Sequence, residues 1–524
     1  MKPRTHQQDF DDAIAGIIAG SPTRDIIAHV IPGGGKSTLP IQAGRLITAG
    51  LADKLCWICP RMSLQDQAER NFLDPRFREL FSHRLVIRSA TNDHNPSRGL
   101  NGMVTTYQAL GVDKEKTVLR DFERFRYILV LDECHHLAED GDWTEPIREL
   151  YDRAAYRVLM TGTMGRGDQR KIAFLPYGEV APGEWVPGYT GIGDCEFIRY
   201  DRRQALAEQA IIPLEFHFAD GVAEWEKESG ARVTAKLSTG RADANQALYT
   251  AIKTEYAQEL LAAGVSHWQD MRKYYDPNGS LLVVAANIET AKEYTAILRG
   301  RGLHAEIATS DDTKGAVREI NALKAGKIKS LVTVAMAYEG LDCPSISHEI
   351  ILTNIRTQGW IEQCVARPVR IDPLAGPYAS QRGYIFAPAD RMFTEIAAKI
   401  EADQCQAVAK VKAPGAQGNL FGDGEGGGGR PGITPLSSRL LHGQQMPFSY
   451  HNQDTAAPIR TQREIEDELR REVDRHVKTF CRVYNVRFKH LNADLKKRFG
   501  KARELMTVAE LEALKRHLAV DYMV

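Results

Sequence analysis

The chain has 524 residues, of which 43% are hydrophobic, and its 68 Lys plus Arg balance its 68 Asp plus Glu for a formal net charge of +0. That length exceeds one ordinary domain, and that apolar content excludes a disordered chain. Neutrality excludes little, because a local basic track can meet phosphates in a chain that is neutral overall. No apolar run is long enough to span a bilayer, and the start, Met1 to Asp12, is polar, so a cytoplasmic protein is expected.

In chain order, short apolar runs at 26–31, 55–59, 102–104, 127–131 and 157–160 read as buried strands, and the stretches 38–49 and 63–71 between them read as helices. The alternation predicts a parallel α/β sheet. A second set of runs follows at 281–285, 305–308, 330–334, 349–352 and 384–386, after a stretch over 202–275 that reads as mainly helical. Cys56 and Cys59 form a CxxC inside an apolar run. A second ligand pair at zinc spacing is missing, so they read as core. Residues 412–435 are rich in Gly and Pro and read as a flexible linker. Beyond it the pattern is helical, with a basic run over 475–503 interleaved with Phe480, Tyr484 and Phe488.

The expected architecture is therefore α/β: two tandem parallel-sheet domains plus a small, mainly helical C-terminal module. The expected boundaries are 1–198 for lobe 1, 199–275 for a helical connector, 276–405 for lobe 2, 406–455 for the linker and 456–524 for the basic module.

Two segments carry chemistry. The first strand runs into Gly33-Gly34-Gly35-Lys36-Ser37-Thr38. Glycines let backbone N–H groups turn toward phosphate oxygens; Lys36 would reach the β- and γ-phosphates of ATP, and Ser37 would hold Mg²⁺. Val30 stands where the general pattern has its first Gly. The strand over 127–131 ends in Asp132-Glu133-Cys134-His135. Carboxylates at the end of such a strand face the ligand crevice. Asp132 would hold Mg²⁺, and Glu133 would orient and deprotonate the attacking water.

These segments resemble those of superfamily-two helicases of the DEAD/DEAH-like type, and the resemblance continues in order over residues 1–400. Pro60-Arg61-Met62-Ser63-Leu64-Gln65-Asp66-Gln67 resembles motif Ia, and Thr105-Thr106-Tyr107-Gln108 the motif Ib region. Thr161-Gly162-Thr163 resembles motif III. The segment from Val334 through Gly340, Leu341 and Asp342 resembles motif V. Gln363-Cys364-Val365-Ala366-Arg367-Pro368-Val369-Arg370 resembles motif VI. Ala366 stands where motif VI often has Gly, and Pro368-Val369 replaces the more usual small pair.

The resemblance implies two RecA-like lobes that close on ATP and Mg²⁺. It implies adenine reading by Gln7, nucleotide contacts from Gly340 and Asp342, and catalysis by Glu133 with Gln363, Arg367 and Arg370. Arg370 is the arginine-finger candidate. His135, Thr161, Thr163 and Asp342 would couple hydrolysis to movement, and Arg61, Gln67 and Thr105 would touch nucleic acid. The threonine-glycine-threonine of motif III resembles the DNA-handling, restriction- and phage-type branch more than RNA helicases. The expected function is an ATP-dependent DNA helicase or translocase in restriction, anti-phage defence or repair. An RNA helicase and an ATP-gated nucleic-acid sensor are the alternatives. In the tail, Arg482, Arg487, Lys496 and Lys497 are expected to meet nucleic acid, with a protein partner as the other reading. The linker is expected to tether this module without holding it in one place.

Overall fold

The computed structural model describes residues 3–90, 95–113, 116–166, 170–181, 184–187, 195–238, 241–334, 341–408, 433–441, 450–451, 462–484, 486, 488–503 and 506–522. Its strands, in chain order, begin with β1 (Asp25–Val30), β2 (Lys54–Cys59), β3 (Ile87–Ser89), β4 (Gly102–Thr106), β5 (Tyr127–Asp132) and β6 (Tyr156–Thr161). A hairpin of β7 (Tyr177–Ala181) and β8 (Glu184–Pro187) precedes β9 (Cys195–Tyr200). The first sheet has seven strands in the order β3-β4-β2-β5-β6-β1-β9, and every pairing in it is parallel. Strands β2, β4 and β5 are buried along their whole length, as strands covered by helices on both faces must be. Cys56 and Cys59 are buried free thiols in β2. The helix expected over 38–49 is a 3₁₀ turn, Lys36–Thr38, followed by two short helices that meet at Gly44. A Cβ at Gly44 would come within 2.3 Å of Leu85 Cδ1, so any larger residue at this packed junction requires Leu85 to move.

The second lobe contains β10 (Leu214–Lys227), β11 (Arg232–Lys236), β12 (Ser280–Ala285), β13 (Ala305–Ala308), β14 (Ser330–Val334), β15 (Ile346–Leu352), β16 (Pro377–Tyr378), β17 (Gly383–Pro388), β18 (Ile433–Leu441) and β19 (Tyr450–His451). The order β11-β10-β17-β15-β12-β14-β13 forms one sheet, with β18 added to β10. Two tandem α/β sheets and a helical C-terminal region are thus present, as the alternation predicts.

The reading of the connector is corrected. It holds helices Arg241–Ala251 and Glu255–Tyr274, but it also supplies β10, a 14-residue strand of the second sheet. Ala219, Gly221, Ala223 and Trp225 face inward there. Small residues on the buried face weaken the period-two signal. A Cβ at Gly221 would meet the Tyr256 ring at 2.6 Å, and the Tyr256 hydroxyl donates to the Ala219 carbonyl at 2.6 Å. The linker reading is also corrected where the chain is described. Ile433–Leu441 pairs antiparallel with Asp220–Lys227, and Ser438 Oγ accepts from the Tyr256 amide at 3.0 Å.

The C-terminal module is three helices, Gln462–Val483, Phe488–Phe499 and Val508–Asp521, around Val473, Val477, Leu491, Leu495, Leu511 and Leu514. It is docked on lobe 1, contrary to the expected loose tether. Glu466, 3% exposed, pairs with Arg88 of β3 at 3.3 Å and with Arg98 at 3.1 Å. Arg98 also donates to the Met506 carbonyl at 3.0 Å. Removing one partner of a buried ion pair strands the others and costs about 3–5 kcal/mol. Glu466→Ala is therefore expected to lower the unfolding midpoint and to free the module for proteolysis. A melting curve and digestion pattern matching the unaltered chain would contradict this docking.

Candidate nucleotide site between the lobes

The candidate catalytic segments meet because parallel strands end at one edge. The C-terminal ends of β1, β5 and β6 carry the glycine loop, Asp132-Glu133 and Thr161-Gly162-Thr163. Gly33 (φ 82°) and Gly35 (φ 90°) turn the loop through the left-handed region that other residues avoid. The loop also packs against lobe 2, since a Cβ on Gly33 would lie 3.1 Å from Val369 Cγ2.

Lys36 pairs with Glu133 and lies 3.4 Å from Asp132 Oδ1. Burial alone would depress the Lys36 ammonium, but the two carboxylates outweigh it and hold its pKa above the ordinary value. Burial raises the Asp132 carboxyl, with the Glu133 charge adding to it against Lys36. Glu133 stays well below the usual carboxylate range despite burial, because Lys36 and His135 face it. Glu133 itself has φ 51°, a strained value for a non-glycine residue that aims its carboxylate into the crevice.

The residues fit Mg²⁺. Asp132 Oδ1 is buried without a hydrogen-bond partner, and Ser37 adds a hydroxyl on the neighbouring loop. Hard oxygen donors of this kind suit that ion, which would neutralise phosphate charge when bound.

A hydrogen-bonded chain crosses the cleft. Gln363 Nε2 donates to His135 Nε2 at 3.1 Å, so the ring proton sits on Nδ1. From there it reaches Thr161 Oγ1 at 2.9 Å and lies 3.3 Å from Glu133 Oε2. Thr161 Oγ1 in turn donates to the Thr163 carbonyl at 2.6 Å and accepts from the Thr163 amide. The bonding requires a neutral imidazole, and burial lowers the His135 pKa in the same sense. The Gly162 amide donates to Glu133 Oε2 at 3.3 Å.

Two further contacts meet on Asp342, one within lobe 2 and one from lobe 1. Arg370 donates to Asp342 Oδ1 at 2.6 Å, and Gln67 donates to its Oδ2 at 3.0 Å. Gln67, expected on nucleic acid, thus ties motif Ia to lobe 2 here, and Asp342 holds Arg370 instead of facing a nucleotide. Arg367 is 7% exposed, donates to the Leu341 carbonyl at 3.3 Å and has a buried Nε without a partner. Burial, with Arg370 adding to it, lowers its pKa to about 10.

Gln7, not Gln8, faces the loop. Its Nε2 donates to Thr38 Oγ1 at 2.8 Å, while Gln8 is exposed and bonds Asp12. Arg4 was missed by sequence reasoning. It donates to the Gly34 carbonyl at 2.6 Å, and its backbone N–H donates to Gln7 Oε1 at 2.9 Å. The Arg4-x-x-Gln7 spacing ahead of the loop was the available signal. Tyr107 was also missed; its hydroxyl donates to the Asp132 carbonyl at 2.7 Å.

Thr105 is 3% exposed, so the expected nucleic-acid contact from its side chain is corrected: inward-facing residues of β4 are core. Arg61 sits at the N-cap of helix Met62–Leu73, partly exposed. Lys496 and Lys497 are exposed on the last turn of Phe488–Phe499. Gly340, Arg487 and the Arg482 side chain lie outside the described residues.

Two mainly parallel α/β lobes, with a glycine loop and acidic pair on one facing glutamine and arginines on the other, are the arrangement that the resemblance to superfamily-two helicases implies. Residues 1–166 match the family described as "Type III restriction enzyme, res subunit", which puts the resemblance on the restriction-type side of that class. An uncharacterized protein of Mycobacterium tuberculosis is 25% identical over 465 residues, covering 85% of this chain and 73% of its own. One from Mycobacterium leprae is 23% identical over 420 residues, covering 78% of this chain and 66% of its own. Among solved structures, the Mycobacterium smegmatis helicase Lhr bound to ssDNA and AMP-PNP has a TM-score of 0.48 at 14% identity. That match covers 77% of this chain, which spans about half (48%) of the Lhr chain. No helix among the described residues is long and apolar enough to cross a membrane.

Proposed function

We propose that the chain is a nucleic-acid-stimulated ATPase that moves along or unwinds DNA. The observation that carries this reading is the Glu133–His135–Gln363 chain, which links the hydrolytic carboxylate of one lobe to the other lobe. A change in lobe spacing then changes how Glu133 is held. In the cycle, Lys36 leaves Glu133 for the β- and γ-phosphates, and Glu133 is freed to accept a proton from the attacking water. Arg370 leaves Asp342 and places its charge on the γ-phosphate as the lobes close. Gln7, with Arg4 bracing the loop behind it, reads the adenine.

The preference for DNA rests on the restriction-type match of the first lobe, as does a role in restriction or anti-phage defence. ATPase rates with DNA and with RNA test the first point, and strand displacement at saturating ATP separates a motor from a clamp that only signals. Stimulation by RNA alone would overturn the choice of DNA.

Glu133→Gln is expected to keep ATP binding but to lower kcat by about 10²–10⁴-fold, the usual share of a general base. Nucleotide binding measured beside single-turnover hydrolysis checks this. Loss of binding in step with hydrolysis would remove Glu133 from the role of base.

A further inference from the structure

The docking of the C-terminal bundle fixes where its charges sit. Part of the bundle's basic charge is paired within it, including the end of the basic run at Arg498, Lys501 and Arg503. Arg503 pairs with Asp474, Lys501 with Glu510 at 2.5 Å, Lys515 with Glu472 at 2.6 Å and Arg498 with Asp521 at 3.8 Å. Three cations of the long helix Gln462–Val483 remain outside such pairs among the described residues. Arg471, Arg475 and Lys478 are exposed and follow one another at steps of four and three residues. That spacing puts them on one helix face over about 10 Å. At the end of this helix Tyr484 is 56% exposed, and Phe488, which opens the next helix, is 39% exposed. Tyr484 lies about 120° or more around the helix from each cation, so the rings stand past the end of the stripe and not along it; together they supply the two parts of a strand-binding platform, where phosphates meet cations and bases stack on rings.

The place of the bundle adds an independent reason. Glu466 grips Arg88 on β3, the outermost strand on its side of the lobe 1 sheet. Strand β3 pairs with β4, with Ser89 opposite Val104, one residue before the motif Ib segment. The bundle therefore flanks the side of lobe 1 that carries motifs Ia and Ib. A strand leaving that side would next meet the bundle.

We infer that this end of the bundle is a second nucleic-acid site, which takes a single strand beyond lobe 1 along Arg471, Arg475 and Lys478 and then around the helix end, where its bases stack on Tyr484 and Phe488. Unpaired bases are required because paired ones do not offer their faces to a ring. The inference rests on the proposed nucleic-acid motor and adds a binding surface that the motor motifs do not contain.

The test uses the full chain and a triple charge reversal, Arg471→Glu with Arg475→Glu and Lys478→Glu, with Tyr484→Ala plus Phe488→Ala as a second variant. Binding is measured for single-stranded DNA of about 8 nucleotides, enough for the lobes alone, and of about 30 nucleotides. Both variants are expected to bind the long strand about 10-fold or more weakly and to leave the short one unchanged. In the charge variant the slope of log K against log salt should become shallower by about 2, near 0.7 for each phosphate that is no longer neutralised. Unchanged ATPase without nucleic acid and an unchanged melting curve show that the variants are folded. Equal affinity of the parent chain and both variants for the long strand would overturn the site, and would leave the face to an acidic protein. Bundle-dependent binding without any stimulation of ATPase would overturn the motor and leave the site standing. Failure of the parent chain to bind either strand would overturn both.

Discussion

Lys36→Ala is expected to reduce ATP hydrolysis to background. The ammonium is the cation that pairs with Asp132 and Glu133 among the described residues, and in the proposed cycle it carries positive charge from the glycine loop to the β- and γ-phosphates. Its removal acts twice. The phosphates are left without their charge partner, and two buried neighbouring carboxylates are left without the cation that opposes their repulsion. The Glu133 carboxyl, now held low against burial by Lys36 and His135, should shift upward once the ammonium is gone. Nucleotide affinity should fall together with turnover. Steady-state phosphate release beside a binding titration measures both, and turnover near that of the unaltered chain would remove the proposed site.

Arg370→Ala is expected to lower kcat by about 10³-fold or more, the range found when an arginine finger is removed, with a much smaller change in KM. The reason lies in the resting geometry. Arg370 is held by Asp342 at 2.6 Å, and that carboxylate is shared with Gln67 of lobe 1. Its charge is thus reserved for the closed state and acts on the transition state more than on bound ATP. Full nucleotide affinity in the variant, with turnover collapsed, is the signature. A raised KM with kcat intact would make Arg370 a simple binding residue.

Strands with large apolar side chains on both faces were legible in the sequence, because burial on both faces makes continuous runs. Lys54–Cys59, Tyr127–Asp132 and Ser280–Ala285 match their predicted runs to within a residue at each end. Strand β10 escaped because alanines and a glycine carry its inner face, and β18 because its pairing joins segments some two hundred residues apart. In the site, the residues fixed by local chemistry were legible: the glycine loop, Asp132-Glu133 and Gln363. Partnerships across the cleft were not. Nothing local in Gln67 or Asp342 says that they meet, and nothing in Glu466 says that it seeks Arg88 and Arg98. The basic tail was legible as charge but not as a surface, since Asp474 and Glu510, on other helices, pair with Arg503 and Lys501 only after folding.

The central claim is that strand binding and ATP hydrolysis are coupled through lobe closure. It is tested most directly by steady-state ATPase of the full chain with and without saturating single-stranded DNA, in parallel with Gln363→Ala. Among the hydrogen bonds of the described residues, Gln363 is the lobe 2 partner of His135. The account expects DNA to raise kcat in the unaltered chain by at least about 10-fold, on the scale of one general acid–base contribution or less. In Gln363→Ala that stimulation should vanish while basal hydrolysis persists. The same ATPase rate with and without DNA, or full stimulation in Gln363→Ala, would contradict it.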